Sequence, residues 1–555
     1  MTTNSNKLKQ MYVLNLISNL NADYATHCEE ELYENILTIN DCLADPAVAT
    51  MTGGNWEVVW GPAIANTAHE HSYLPLQKIT RWITDNALYI AQKQGTDEYF
   101  IGIAGTNAFS SVGWFEQDFD VATCVAWPPA YLHIKNPDIE GAPYISTGAN
   151  TGLRALVDLQ PQNNAKAAGT TFIDFLLKEV KSKECSISIG GHSLGGCLTP
   201  LVAAALGDKM QDAPDANQYR GVEINAYPTA GPTPGNEAFA DHLQRHINEY
   251  HAVFNAHDIV PQAWDAAGLD DLMKAYGSWL FGGGAIKPNS QINYTFADWI
   301  ANYAKTQNYV RLPKNPNAKF TVTTWEGDLI EEVTVDNTVI TSMDFEAYIT
   351  GLSIGLQITP AGAELKKLAH LNTQESSKLP FEDTAKQLLQ PVNKLLSKFS
   401  PGIFSKYFYK CFFDHFINDF VRYAFQVALQ HTVAYNNPQS SKGGVPWQFN
   451  ATERATLQTY VTSVKHRFLC KVNDIEWQAA TGIELVTNLA TLITNWAEEN
   501  PLEASALVKE HFRRIEQQNN TNRTFEEAKE IEKLTLHFNK EIDTVLQLVR
   551  KIYYL

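Results

Sequence analysis

The chain has 555 residues, of which 61 are acidic and 43 basic, and its formal net charge is −18. Binding to nucleic-acid phosphates relies on a basic face, and no Lys/Arg-rich run occurs, so this composition speaks against a nucleic-acid partner. Hydrophobic residues make up 44% and aromatic residues 11% of the chain, which excludes a disordered protein and indicates a globular one with a large core.

The N-terminal segment has lysines before a short apolar stretch, as secretory signals do. Asn15, Ser18 and Asn19 interrupt that stretch, and no small-x-small cleavage site follows closely. No window of about 20 uninterrupted apolar residues occurs, so a membrane-spanning helix is not expected. The 7 cysteines are dispersed without a CxxC pair, which predicts reduced thiols. We therefore expect a cytoplasmic protein, or one exported without a cleavable signal peptide.

The region from residue 1 to 261 alternates short apolar runs with helical stretches. The runs, flanked by glycine or turn residues, are typical of strands buried on both faces of a parallel sheet. They lie at 99–105, 185–191 and 222–227, and the helical periodicity between them at 171–180 and 198–210. This order predicts an α/β domain with a mostly parallel central sheet.

The remaining chain divides into two regions. Residues 262–445 are less regular and contain an alternating segment, 319–340, that predicts a β-hairpin. We expect this region to form a helical and β-hairpin insertion that completes the first domain. After a turn-rich stretch, residues 446–555 are dominated by helical patterns with charged faces, which predicts a C-terminal all-helical region.

The strongest local motif is a G-x-S-x-G sequence between a predicted strand and a predicted helix. It consists of Gly191, His192, Ser193, Leu194 and Gly195. A serine on a sharp strand-to-helix turn projects its hydroxyl above the sheet, and only glycines fit beside so tight a bend. The helix that follows points backbone N–H groups at any negative charge that develops there. Ser193 is therefore the candidate nucleophile, and the Leu194 N–H is a candidate oxyanion donor.

Beyond this motif, the chain resembles the class 3 (fungal-lipase-like) lipases of the α/β-hydrolase fold. The resemblance covers about residues 50–265 and thins afterwards. Blocks similar to those of the family follow one another in the family's order at 56–62, 87–107, 225–240 and 250–264. The resemblance implies a serine hydrolase whose nucleophile, acid and histidine occur in that order along the chain. Asp258, in NAHDIVP, matches the family's acid before a hydrophobic-Val-Pro turn.

A histidine after Asp258 must serve as the base that activates the serine. The candidates are His370, His415, His431, His466, His511 and His537. Because catalytic bases usually lie on loops above the sheet, His431, at the predicted end of a helix, is preferred. Its QHTVAY segment also resembles the family's histidine block. His415, inside a continuous helical pattern, stays open as the alternative, and His192 is interpreted as a packing residue.

The resemblance also implies a second oxyanion donor and a lid. Thr106, after the strand at 99–105, would supply a backbone N–H beside that of Leu194. Ala104 stands where the family often has a bulky or basic residue, which leaves the backbone donor unaffected. The family's tryptophan-containing lid matches 107–120, and the apolar segments 275–286 and 399–413 are alternatives.

No cofactor or metal is expected. His242 and His246 have the i, i+4 spacing that could bind a metal, but without an evident third ligand they are interpreted as solvent-facing residues. Gly282–Gly284 lacks the Lys-Ser/Thr of a phosphate loop. Asp118 and Asp120 match structural aspartates of the family rather than a calcium site.

The sequence thus predicts a carboxylic-ester hydrolase that acts on lipid esters, like a triacylglycerol lipase, through a Ser193–His431–Asp258 triad and an acyl-enzyme. Expected partners are a lipid or ester substrate and a lipid or membrane interface that the protein contacts transiently. Two alternatives stay open: a phospholipase A1-type effector, and a hydrolase fold that has lost catalysis and binds lipid or protein.

Overall fold

A computed structural model provides the structure of the protein. It describes residues 2–21, 25–26, 28–74, 77–105, 121–265, 268, 304, 307–313, 315–328, 332–335, 338–341, 430–431, 433–436, 438, 440 and 444–457.

The helices of the described residues lie mostly in the N-terminal half of the chain. They are α1 (Thr2–Ser18), α2 (Glu29–Asn35), α3 (Thr38–Ala44), α4 (Pro46–Met51), α5 (Thr147–Val157), α6 (Phe172–Glu179), α7 (Leu194–Asp212), α8 (Glu237–His246) and α9 (Val433–Asn436). Residues 451–457 are helical as well. Side-chain N-caps begin three of these helices: Ser146 caps α5, Thr171 caps α6 and Asn236 caps α8, and each accepts a backbone N–H of the first turn.

The strands form one large sheet and two small ones. They are β1 (Ala25–Thr26), β2 (Trp56–Leu74), β3 (Gln77–Lys93), β4 (Glu98–Ile103), β5 (Cys124–Ala126), β6 (Tyr144–Ser146), β7 (Cys185–His192), β8 (Val222–Thr229), β9 (Glu249–Asn255), β10 (Phe320–Trp325), β11 (Glu332–Val335) and β12 (Thr338–Thr341).

The large sheet has 8 strands in the order β1-β3-β4-β7-β8-β9-β10, with β2 paired to β3. The five strands from β4 to β10 are parallel, and β2, β3 and β4 are joined by antiparallel pairing. The predicted strands at 99–105, 185–191 and 222–227 correspond to β4, β7 and β8. The predicted mostly parallel sheet is therefore confirmed.

The sheet is covered on both faces, and alternate residues of its strands enter two different hydrophobic clusters. Ile101 and Ile103 of β4 belong to the cluster that includes α5 to α8, whereas Phe100 belongs to the cluster that includes α1. Because a strand points successive side chains to opposite faces, a β-strand between two helical layers must be apolar throughout. This explains the uninterrupted apolar runs of the sequence.

The segment 319–340 was predicted to form a single hairpin, and the structure shows a different arrangement. Its first part, β10, pairs in parallel with β9 and extends the large sheet, and only β11 and β12 form an antiparallel hairpin. The alternating pattern fits both arrangements, because a strand at the edge of a sheet can also be exposed on one face. The large sheet thus reaches beyond residue 261, and the division into three regions stays a prediction. Among the described residues, no helix is both long enough and apolar enough to cross a membrane.

Candidate active site

The turn between β7 and α7 has the strained geometry of a nucleophile elbow. Ser193 has φ 60° and ψ −125°, a conformation that non-glycine residues rarely adopt. A Cβ atom at Gly191 would lie 2.5 Å from the Gly195 carbonyl carbon, and one at Gly195 would lie 2.3 Å from the Ile103 carbonyl oxygen. The two glycines flanking the motif are therefore required by close backbone contacts, as the sequence predicted.

Leu194 is the first residue of α7, and its side chain is buried. The first amides of a helix have no acceptor within the helix, so the Leu194 N–H belongs to a group that can bind an oxyanion. Across the turn, a Cβ atom at Gly105 would lie 3.3 Å from the Ser193 Cβ, so the end of the β4 loop contacts the elbow. Thr106, the other predicted oxyanion donor, lies outside the described residues.

The carboxylate of Asp258 is fully buried in the turn after β9. Its Oδ1 accepts the Val260 N–H at 3.0 Å, and its Oδ2 accepts the Tyr435 hydroxyl at 2.8 Å. Nδ1 of His431 also lies 2.8 Å from Oδ2. A buried carboxylate requires such donors, because without them burial of its charge is strongly unfavourable.

The contact with Asp258 determines which nitrogen of His431 carries the proton. A carboxylate only accepts hydrogen bonds, so the proton lies on Nδ1 and Nε2 is free to take one. Nε2 is buried and has no hydrogen-bond partner among the described residues. The sequence-predicted acid and base are therefore brought together, with the base in the tautomer that can accept a serine proton.

His192 connects the elbow to the segment that bears His431. Its Nε2 lies 2.7 Å from the His431 carbonyl oxygen, and the two ring centroids are 4.8 Å apart. A carbonyl only accepts, so His192 donates from Nε2. Burial, with the neighbouring His431 as a second cause, holds the pKa of His192 well below its usual value. His192 is therefore a neutral side chain. Because it directly precedes Ser193, its hydrogen bond holds the His431 backbone close to the elbow.

Two further groups around the acid and base were not predicted individually. Tyr435, four residues after His431, donates to Asp258 and accepts the Asn255 N–H at 3.0 Å, and burial raises its pKa well above the usual value. Gln430 is fully buried and joins the Asn255 side chain to the Asp328 carbonyl. For Tyr435 the available signal was the QHTVAY segment, which resembles the family's block of a histidine followed by a tyrosine, and for Gln430 it was the position next to His431.

Several other predicted features lie outside the described residues. These are His370, His415, His466, His511 and His537, the three lid candidates, Gly282–Gly284, and Asp118 with Asp120. Asp265, seven residues after Asp258 and a weaker candidate for the acid, pairs with Arg311, whose guanidinium nitrogen lies 3.6 Å from its Oδ2.

His242 and His246 differ from their interpretation as solvent-facing residues. Both face the buried carboxylate of Asp208 on α7, with Nε2–Oδ1 distances of 3.1 Å and 3.0 Å. The three side chains form a group that could bind a metal ion. However, the Arg245 guanidinium, which only donates, lies 3.0 Å from His242 Nδ1, so the His242 proton lies on Nε2 and points at Asp208. In this arrangement the group is a hydrogen-bonded link between α7 and α8.

The mostly parallel sheet and the strained serine between β7 and α7 define the protein as an α/β hydrolase. Residues 153–266, which include the elbow and Asp258, match the model of the family described as lipase (class 3). This match confirms the resemblance to class 3 lipases that was predicted from the sequence. The protein is a hydrolase of the lipase and esterase type.

Solved structures similar to this chain include three lipases. The M37 lipase is 25% identical, with a TM-score of 0.45, over 58% of this chain and 86% of its own. The lipase from Rhizopus microsporus var. chinensis is 13% identical, with a TM-score of 0.28, over 47% and 69%. Lipase II from Rhizopus niveus is 13% identical, with a TM-score of 0.29, over 48% and 77%. No curated protein sequence matches the chain.

Proposed function

We propose that the protein hydrolyses the carboxylic esters of lipids through Ser193, His431 and Asp258. The observation that carries this proposal is the 2.8 Å contact between His431 Nδ1 and Asp258 Oδ2, made beside the elbow by residues 173 positions apart in sequence. It leaves the His431 Nε2 available as a general base, which a serine hydroxyl requires in order to attack an ester.

In the proposed reaction, Ser193 Oγ bonds to the ester carbonyl carbon while its proton passes to His431 Nε2. The carbonyl oxygen becomes an oxyanion, which the N–H groups of Leu194 and Thr106 stabilise. Asp258 stabilises the imidazolium that has formed. The bond to the leaving alcohol then breaks, and the alcohol takes the proton from His431. Water repeats these steps on the acyl-enzyme and releases the fatty acid.

The substrate class follows from the family, whose members act on lipid esters, and we propose a triacylglycerol-like substrate reached by transient contact with a lipid interface. Hydrolysis of p-nitrophenyl esters from acetyl to palmitoyl tests this proposal. We expect the rate to rise with chain length. Comparison of triacylglycerol emulsions with phosphatidylcholine vesicles then separates lipase from phospholipase A1 activity.

The variant Ser193→Ala tests the nucleophile. We expect its kcat to fall by about four or more orders of magnitude, because the covalent step is removed. Ser182→Ala is the matched control, since Ser182 is an exposed serine with the same φ of 60°. A Ser193→Ala variant within tenfold of wild type would contradict the proposal.

The variants His431→Ala and His415→Ala test the base. We expect the first to lose activity as Ser193→Ala does, and the second to retain it. If His431→Ala keeps full activity and His415→Ala loses it, the base has been assigned wrongly. A protein that is folded but neither turns over esters nor reacts with a fluorophosphonate would favour the hydrolase fold without catalysis.

A further inference from the structure

The N-terminal helix α1 carries polar side chains on its buried face. Asn15 is fully buried and Ser18 nearly so, whereas their neighbours in the same cluster are apolar. Burial of an amide or a hydroxyl is unfavourable unless it forms hydrogen bonds. The hydrogen bonds of these two side chains therefore show which parts of the structure they hold.

Asn15 contacts two neighbouring central strands, β8 through hydrogen bonds and β7 through close packing against Gly190. Its Nδ2 donates to Thr229 Oγ1 at 2.9 Å and to the Tyr227 carbonyl at 3.1 Å. A Cβ atom at Gly190, three residues before the nucleophile, would lie 2.2 Å from Asn15 Oδ1, so only a glycine there leaves room for this amide. Thr229 in turn accepts the Ser193 N–H on its carbonyl at 3.0 Å. Asn15 is thus connected to the elbow through a single intervening residue, Thr229.

Ser18 and Asn19 bind the loop that leads to the predicted oxyanion donor Thr106. Ser18 Oγ lies 2.6 Å from the Asn15 carbonyl oxygen of its own helix and 2.9 Å from the Ile103 carbonyl oxygen at the end of β4, so its one proton is shared between these two acceptors. Asn19 Oδ1 accepts the Gly105 N–H at 2.7 Å. Gly105 is packed closely enough against the elbow that a Cβ atom on it would lie 2.8 Å from the His192 carbonyl oxygen.

We propose that Asn15, Ser18 and Asn19 are positioning residues, through which α1 holds the oxyanion loop against the nucleophile elbow. The inference rests on the proposed function. An oxyanion site works because its donors are held in place before the reaction. Asn19 binds the N–H of the Ala104–Gly105 peptide, which directly precedes the peptide that carries the Thr106 N–H. The same three residues interrupt the apolar N-terminal stretch of the sequence, and the positioning role explains why polar residues occur there.

The variant Asn19→Ala tests the proposal, with Asn6→Ala as its matched control because Asn6 is an exposed asparagine on α1, the helix that Asn19 directly follows. We expect Asn19→Ala to lower kcat on p-nitrophenyl butyrate about tenfold while KM changes less than twofold, since the oxyanion exists only in the transition state. Rates are expressed per active serine, counted by fluorophosphonate labelling. Asn6→Ala is expected to match the wild type.

Two further measurements separate positioning from a general structural role. A trifluoromethyl ketone adds to the serine and forms an oxyanion, and its inhibition constant should rise by the same factor as kcat/KM falls. The constant of the non-fluorinated ketone should stay unchanged. Hydrogen–deuterium exchange of the peptide containing Gly105 should become faster in Asn19→Ala, at an unfolding midpoint close to that of the wild type.

The inference is overturned if Asn19→Ala has wild-type kcat per active serine, or if both ketones bind more weakly by the same factor. Unchanged exchange at Gly105 also overturns it. A wild-type protein without Ser193-dependent turnover would instead overturn the proposed function, and this inference with it.

Discussion

The buried carboxylate of Asp258 needs several hydrogen-bond donors, and this need explains the residues that surround it. The Val260 N–H, the Tyr435 hydroxyl and His431 Nδ1 all bind this one side chain. The Val260 N–H and the Tyr435 hydroxyl orient the carboxylate towards the histidine. The orientation of His431 therefore depends on Tyr435 as well as on Asp258.

The variant Tyr435→Phe tests this dependence. We expect the free energy of unfolding to fall by about 1–3 kcal/mol, because the buried Asn255 N–H loses its acceptor. We expect kcat/KM to fall about tenfold as Asp258 loses a donor. Urea unfolding and ester kinetics measure the two effects. The control Tyr219→Phe, which loses a partly buried hydroxyl contact to the Leu177 carbonyl, should change stability alone. A Tyr435→Phe variant with full kcat/KM would show that Tyr435 does not orient the acid.

At the scale of the elements, α7 and α8 are joined by polar groups inside an apolar interface. Asp208 on α7 accepts hydrogen bonds from His242 and His246 on α8 and from the Trp127 indole at 2.8 Å. Burial alone would raise the pKa of Asp208, but the hydrogen bonds from the two histidines outweigh it and lower the pKa to about 2. Since α7 begins at Leu194, directly after Ser193, this link helps to fix the position of the helix that follows the elbow.

The lowered pKa of Asp208 predicts a pH-dependent contribution to stability. A carboxyl group whose pKa is lower in the folded protein stabilises it above the unfolded pKa, near 3.8, and loses that contribution as the pH falls towards about 2. We therefore expect Asp208→Asn to destabilise the protein by about 2 kcal/mol at pH 7, with the difference from wild type shrinking below about pH 4. Urea unfolding between pH 3 and 7 measures this, with Asp241→Asn on the exposed side of α8 as control. A difference that is constant over this range would show that the ionisation of Asp208 does not contribute.

At the scale of the whole molecule, the two ends of the described chain pack against each other beside the site. Tyr12 of α1 stacks on Trp447 with ring centroids 4.2 Å apart, and Ser5 Oγ donates to the Pro446 carbonyl. The Trp447 indole donates to the Tyr435 carbonyl at 3.0 Å. The segment after residue 443 therefore supports both α1 and the helix that follows His431.

The variant Trp447→Ala should destabilise the protein by about 3–5 kcal/mol, because it removes a buried aromatic side chain from this cluster. Glu453→Gln is the control. It breaks the 2.8 Å ion pair with Lys9 but keeps an acceptor for the Asn450 N–H, so we expect a loss below about 1 kcal/mol. Thermal or urea unfolding compares the two. An equal effect of both variants would mean that the two ends are joined by charge rather than by packing.

The features that could be predicted from the sequence are those whose physical cause is local. The elbow follows from glycines two residues on either side of Ser193, and the buried strands follow from apolar runs such as that of β7. Asp258, by contrast, was predicted from the resemblance of the seven-residue segment NAHDIVP to the acid block of the class 3 lipases. The choice of His431 among six histidines used its position at a helix end, and its catalytic role stays a prediction, although the structure places it on Asp258.

The tertiary structure decided what depends on residues that are distant in sequence. Tyr435 meets Asp258 across 177 positions, Gly105 meets Asn19 across 86, and His242 meets Asp208 across 34. A hydrogen bond between such partners has no effect on periodicity or composition, so Asp208 was missed as the partner of the two histidines. For the same reason the pairing of β10 with β9 was missed, and β10 was assigned to a hairpin. The sequence alone therefore determined the class of chemistry and identified Ser193 as the candidate nucleophile, because the elbow that presents this serine depends on local backbone constraints. The orientation of the acid and base and the support of the oxyanion loop required the fold, because they depend on which distant segments are brought into contact.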